Sequence, residues 1–218
     1  MTIPLLLLVV ALKIGGFAAK IGLQMIKGTN MFAYCMATAK TGSFYLTETI
    51  TLPAASVSGT RIQGSLDLGA YVNVATGQAI AVESVDLVYQ CGADFATSVK
   101  GFVTQDGAIT AQVTDLNPGT GFVRADNQSL IASGCVNIDF GNNVASHVTD
   151  LFPDNFGPAA LSEAFMVVND TIYLVGGVDN AAIGADDLFI TARIRCRVVK
   201  LGTKDWMAIA IQSTASDN

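Results

Sequence analysis

Residues 43–52 read SFYLTETITL. Phe44, Leu46, Ile50 and Leu52 fall on one parity, and Tyr45 with three threonines on the other, which predicts a strand with one buried face. The same period of two runs outward from there. RIQGSLDLGAYV (61–72) puts Ile62, Leu66, Leu68 and Val72 on one side. AIAVESVDLVYQ (79–90) changes parity between Val82 and Val85, which predicts a bulge near Glu83 and Ser84. Further strands are expected over 109–114, 120–124, 134–140, 164–168, 171–176, 187–201 and 204–213. Asn169 and Asp170 in FMVVNDTIYLV suit a two-residue hairpin turn, since both tolerate positive φ. About ten short strands, punctuated by Gly, Asn, Asp and Pro and with little helical periodicity after residue 30, predict an antiparallel sandwich or barrel. NNVASHVTDLFPDNFGPAALSEAF (142–165) interrupts the pattern and reads as a long loop with a short helical turn at 159–163.

A chain of 218 residues suits one domain with a real core. Half of it is hydrophobic and only 14% is charged, against about 25% in an ordinary soluble domain, so much of the surface calls for cover. The formal net charge is −6. The first 28 residues hold three lysines and no acid, which leaves 9 basic against 18 acidic residues, a net of −9, in the remainder. An acidic body argues against nucleic acid as the main partner, because phosphate binding needs basic clusters.

The N-terminal stretch is different in kind. TIPLLLLVVAL carries no charge, and LKIGGFAAKIGLQMIKG (12–28) follows it with Lys13, Lys20 and Lys27 seven residues apart. Seven helical steps return to within about 20° of the start, so these lysines line one side of a helix, joined by Gln24. Ala11, Gly15, Ala18 and Gly22 form a small-residue seam on the opposite side, through which another helix could approach. A helix over 3–27 would reach about 37 Å, nominally enough to cross a bilayer. A lysine at mid-depth costs roughly 3 kcal/mol, which favours insertion by the aliphatic tip alone, Leu5, Leu6, Leu7, Leu8 and Val9, with the lysines at lipid headgroups. Packing among copies in a protein layer and burial as a core helix are the other readings. Lysines follow the apolar run rather than precede it, which argues against a cleaved signal peptide. Residues 1–30 thus read as a hydrophobic anchor and residues 31–218 as the β-body.

Chemistry leaves few candidates. Cys35, Cys91, Cys135 and Cys196 stand without a CxxC, so a zinc site is not indicated; two disulfides are permitted, but three of these cysteines sit in alternating apolar runs that suit free buried thiols. The one histidine, His147, has Ser146 and Asp150 nearby in sequence, which does not make a triad. Asp179, Asp186 and Asp187 lack the ligand spacing of an EF-hand and read as a solvated turn. No phosphate-binding glycine motif occurs. No enzyme and no cofactor are expected.

In LFITARIRCRVVKL (188–201), Arg193, Arg195 and Arg197 share one strand face and Ile194, Cys196 and Val198 the other. Like charges at this spacing repel, so the row implies acids on a neighbouring strand or a neighbouring subunit. A solvated face, a subunit interface and a nucleic-acid contact are the three readings.

GSLDLGAYVNVATGQAIAVESVDLVYQ, RADNQSLIASG and LFPDNFGPAALSEAFMVVNDTIYLVGG, behind an N-terminal helix, give a layout that resembles the single jelly-roll major capsid proteins of tailless icosahedral viruses, especially those with a membrane beneath the shell. The resemblance implies a virion shell subunit that assembles with copies of itself, as trimers or pseudo-hexameric capsomers. It also implies a helix directed at the membrane and room for a second coat protein. The basic arm of many capsid proteins is absent. A membrane-anchored surface protein or pilin-like filament subunit with a β-sandwich head is the rival, and a β-sandwich enzyme or lectin the next.

Overall fold

The computed structural model describes residues 37–95, 98–150 and 164–215, without the side chains of 147–150 and 213–215. These all belong to the second of the two units into which the chain divides, residues 36–218. The helix expected over 3–27, Cys35 and the helical turn expected at 159–163 lie outside the described residues.

Ten strands follow in order: β1 (Thr38–Ala39), β2 (Phe44–Leu52), β3 (Arg61–Asp67), β4 (Gln78–Cys91), β5 (Gly107–Thr114), β6 (Leu130–Asp139), β7 (Val144–Asp150), β8 (Phe165–Val167), β9 (Thr171–Asp179) and β10 (Leu188–Lys200). Among the described residues two α-helices, α1 (Val99–Phe102) and α2 (Thr203–Ala215), and a 3-10 turn at Val74–Thr76 accompany them. The first sheet has the order β1-β10-β4-β8, with β2 also on β10, and the second β3-β9-β5-β6-β7. Every pairing is antiparallel. Strands β2 to β5 alternate between the sheets, and so do β7 to β10.

The period of two decides which side of each strand is dry. On β10, Leu188, Ile190, Ala192, Ile194 and Cys196 are buried and meet Ile50 and Leu52 of β2 and Ile80, Val82 and Val85 of β4. From the second sheet, Ile109, Ala111, Val113, Ile172, Leu174 and Val178 enter the same core. Each fully buried Ile or Leu contributes about 1.5–3 kcal/mol. Gly176 lets the layers close: a Cβ there would lie 2.6 Å from Ile50 Cδ1 and 2.7 Å from Ile190 Cδ1. The hydroxyl of Tyr89 on β4 crosses the core and donates to the Gly134 carbonyl on β6 at 3.2 Å, which satisfies a polar group that burial would otherwise penalise.

The parity change on β4 is a β-bulge. Arg195 pairs with Ser84 and Cys196 with Val82, so Glu83 has no opposite residue on β10. Val82 and Val85 can therefore both face the core.

Five sequence expectations are corrected. Residues 120–124 are not a strand: they lie in the loop after β5, where the side-chain amide of Gln112 accepts from Val123 N–H (2.8 Å) and donates to its carbonyl (3.0 Å). A side chain thus supplies what a strand neighbour would. Asn169 and Asp170 make no hairpin, because β8 pairs with β4 in the first sheet while β9 pairs with β3 and β5 in the second. They carry the chain between layers, after Val167 and Val168, both buried. Residues 204–213 are helical. Trp206, Ile209 and Ala210 at helical spacing pack on Ala79, Ala81, Val168, Val199 and Leu201, outside the first sheet. Trp206 N–H bonds the Gly202 carbonyl, and Asp205 complements the first turn. The long interruption contains β7, which pairs with β6. The strand expected over 61–72 also stops early, at Asp67, where the chain turns.

Substituting Gly176→Ala should lower stability by about 1–3 kcal/mol, the cost of overpacking a filled core. Urea denaturation measures this, and an unchanged midpoint would show that the two isoleucines move aside freely.

Candidate functional site

The outer face of the first sheet carries the polar pattern singled out in the sequence. Arg193, Arg195 and Arg197 do share that face, opposite the buried Ile194, Cys196 and Val198. The acid they call for is on the neighbouring strand of the same chain. Arg195 Nε lies 3.0 Å from Glu83 Oε2, and Arg197 bonds Glu83 Oε1 through Nε and Nη2. Ser43 Oγ donates to the same carboxylate at 2.9 and 3.1 Å. The Glu83 side chain is 10% exposed, so these contacts work in a medium less screening than water. The bulge explains the meeting: it frees Glu83 from the ladder and leaves its carboxylate between two guanidiniums. Arg193 instead lies over the Tyr45 ring, 5.2 Å from its centroid, with Asp86 opposite in register.

Helix α2 shelters only the end of this face near Val199 and Ala79. The rest stays open: Tyr45, Thr47 and Thr49 on β2 and Arg193 on β10 are exposed. Thr49 and Thr191 join through their hydroxyls at 2.9 Å. At the far end Phe95 meets Phe189 edge-on, with ring centroids 5.7 Å apart.

Elsewhere polar groups serve the fold. Arg61 pairs with Asp179 at 2.7 Å and stacks on Phe122, and Asp187 accepts from the Ala54 N–H at 2.8 Å. Asp179 and Asp187 thus have structural partners. Among the described residues no group of three or more His, Cys, Asp or Glu could hold a metal ion. Cys91, Cys135 and Cys196 are free thiols. Burial, reinforced by the Glu83 charge, pushes Cys196 up to about 12, and burial with the Asp186 charge raises Cys91, so neither is a ready nucleophile at neutral pH. His147 lies on β7, with its side chain outside the described residues. Depressions lined by Asp115, Gln128, Met166 and Ile209, and by Lys40, Gly77, Lys200 and Thr203, lie outside the inter-sheet core. No helix among the described residues is long and apolar enough to cross a membrane. Leu5, Leu6, Leu7, Leu8, Val9, Ala11, Lys13, Gly15, Ala18, Lys20, Gly22 and Lys27 all lie outside those residues.

Glu48 is the one acid on the inner side of edge strand β2, with its carboxylate against Gly64 of β3. Burial raises its pKa, and a backbone hydrogen bond from Ser65 partly offsets this. An inward charge on an edge strand opposes edge-to-edge pairing with other chains. Sequence reasoning placed Glu83 and Tyr45 in the strand pattern without a role on this face, and it passed over Phe95. The parity change marked the bulge, but its partners emerge only with the register of β4 against β10.

No protein-family model matches the chain, and no curated protein matches it. Among solved structures it is similar to a chain of Desmodium yellow mottle tymovirus, at 8% identity and TM-score 0.31, covering 74% of this chain and 90% of that one. It is also similar to a chain of turnip yellow mosaic virus, at 10% identity and TM-score 0.32, covering 77% and 86% respectively. At such values the likeness carries no weight for fold or function.

Glu83→Gln should cost about 1–3 kcal/mol, because two guanidiniums lose their charged acceptor. Chemical denaturation of this variant beside Arg197→Met and the double variant gives the coupling, and additive losses would deny it. The Glu48 effect has a definite sign. A raised folded-state pKa means stability that is present below the unfolded value and lost as pH rises through the folded one. Glu48→Gln should therefore raise the melting temperature at neutral pH, with a smaller gain near pH 4; an equal gain at both would exclude titration as the cause.

Proposed function

We propose that the chain is a single jelly-roll capsid subunit that assembles with copies of itself into a virion shell, held through residues 1–30 to an underlying membrane or to neighbouring subunits. The observation that carries this reading is the strand order. Strands β2-β10-β4-β8 face β3-β9-β5-β6, with the chain alternating between layers, as eight strands do in the two interlocked Greek keys of a jelly roll. Viral shells, lectins and cupins share that architecture, so the fold alone does not choose among them.

What favours the shell is where the chain spends its polarity. The space between the sheets is filled with aliphatic side chains, so chemistry belongs to the outer surface. That surface is threonine-rich on β2 and low in charge overall, and association covers such faces better than water does. Residues 1–30 supply an aliphatic tip, a small-residue seam and a lysine stripe. Each lysine near an anionic lipid surface adds about 1 kcal/mol of attraction.

Negative-stain microscopy of the full chain at high concentration should show closed shells or lattice patches, and a field of uniform monomers would overturn the reading. Vesicle flotation tests the anchor separately. Removing residues 1–30 should release the protein from anionic vesicles while the β-body keeps its circular dichroism; a truncated chain that still floats would end the anchor proposal.

A further inference from the structure

The open part of the first sheet's outer face is unlike at its two ends. At the start of β10, Phe95 stands 54% exposed and meets the ring of Phe189. It does so at φ 54°, a left-handed conformation that costs a bulky residue on the order of 1 kcal/mol or more. Asp94, exposed, precedes it in the chain, and the exposed Asp186 holds its carboxylate close to Gly92, three residues before Phe95. Further along, Tyr45 is 52% exposed and carries the Arg193 guanidinium on its ring. Among the described residues Arg193 makes no ion pair within 4.0 Å, and Arg195 is half-exposed beside Glu83. Three guanidiniums there outnumber the two carboxylates, Glu83 and Asp86. Between the ends lie the uncharged Thr49 and Thr191.

We propose that a second copy of the chain docks on this face about a two-fold axis near Thr49 and Thr191, with the Phe95 end of each copy over the Arg193 end of the other. Four residues at about 3.3 Å each separate Phe189 from Arg193 along β10, with Thr191 midway, so a half-turn about that point exchanges the two ends. The contact is self-complementary: every acid-to-guanidinium and ring-to-guanidinium meeting occurs twice. Aromatic residues and arginine are the usual anchors of such interfaces, and opposite charge fixes the register. Helix α2 covers the end of the sheet that this pairing does not need. The proposal takes its partner, a second copy, from the shell reading, but adds which face meets which.

The test uses the full chain with Arg193→Glu and Asp186→Lys, each alone, mixed in equal amounts, and combined in one chain. Analytical ultracentrifugation should show each single variant weakening the dimer about tenfold or more, since like charges then face each other twice. The mixture and the doubly substituted chain should both recover wild-type dimerisation, because every contact is again between opposite charges. Phe95→Ala should weaken the dimer in either background while leaving the melting temperature unchanged. Singles that dimerise like the wild type, or a mixture that stays as weak as its parts, would overturn the proposal. Shells formed equally well by wild type and both singles would sink this face and keep the shell reading, whereas a chain that forms neither shells nor dimers would sink both.

Discussion

Everything in the β-body depends on how closely its two layers approach. Ile50 and Ile190 of the first sheet reach the backbone of Gly176 in the second, and no side chain separates them. That contact fixes the spacing at which Leu52, Ile80, Val82 and Leu188 meet Ile109, Val113, Ile172 and Leu174. Across that aliphatic interior the hydroxyl of Tyr89 reaches a backbone carbonyl of the other sheet. Burial of that phenol raises its pKa, so it stays a donor through the physiological range.

A core closed in this way moves function outward. Strand β10 shows how: one side supplies the centre of the core, and the other displays a row of arginines. The row is tolerable because Glu83 neutralises its crowded end and Tyr45 spreads the charge of its open end. The strongest polar cluster of the first sheet is thus folded-state structure at one end and available surface at the other. The same economy covers the second sheet, where the loop after β5 lies against Gln112 and Arg61 stacks on Phe122.

Most strands were legible because they alternate against a single core. Residues 43–52 and 188–198 each bury one parity, and in 79–90 the bulge left its mark as an apolar step of three. Legibility failed where a segment meets something other than that core. Residues 204–213 alternate by accident at Met207, Ile209 and Ile211, whereas the packed set, Trp206, Ile209 and Ala210, follows the helical period. Val123 has a side-chain amide for its neighbour, which no local pattern announces. Asn169 and Asp170 have the composition of a tight turn, yet the pairing of their flanking strands depends on residues far away in sequence. The arginine row was visible, but its acid could be named only after the strands were aligned.

The bulge at Glu83 has one more consequence, which is arithmetic. It adds a single residue to β4 relative to β10, and every side chain beyond it owes its orientation to that unit. Were Glu83 paired in the ladder as an ordinary residue, Val85, Leu87, Tyr89 and Cys91 would turn toward water, with Ser84, Asp86 and Val88 forced inside. Removing Glu83 would instead take out the extra residue, so that Ser84 follows Val82 and the alternation still carries Val85 and Leu87 inward; what the sheet would lose is the carboxylate between Arg195 and Arg197. At that point the strand depends on the extra residue being an acid, not on its own length.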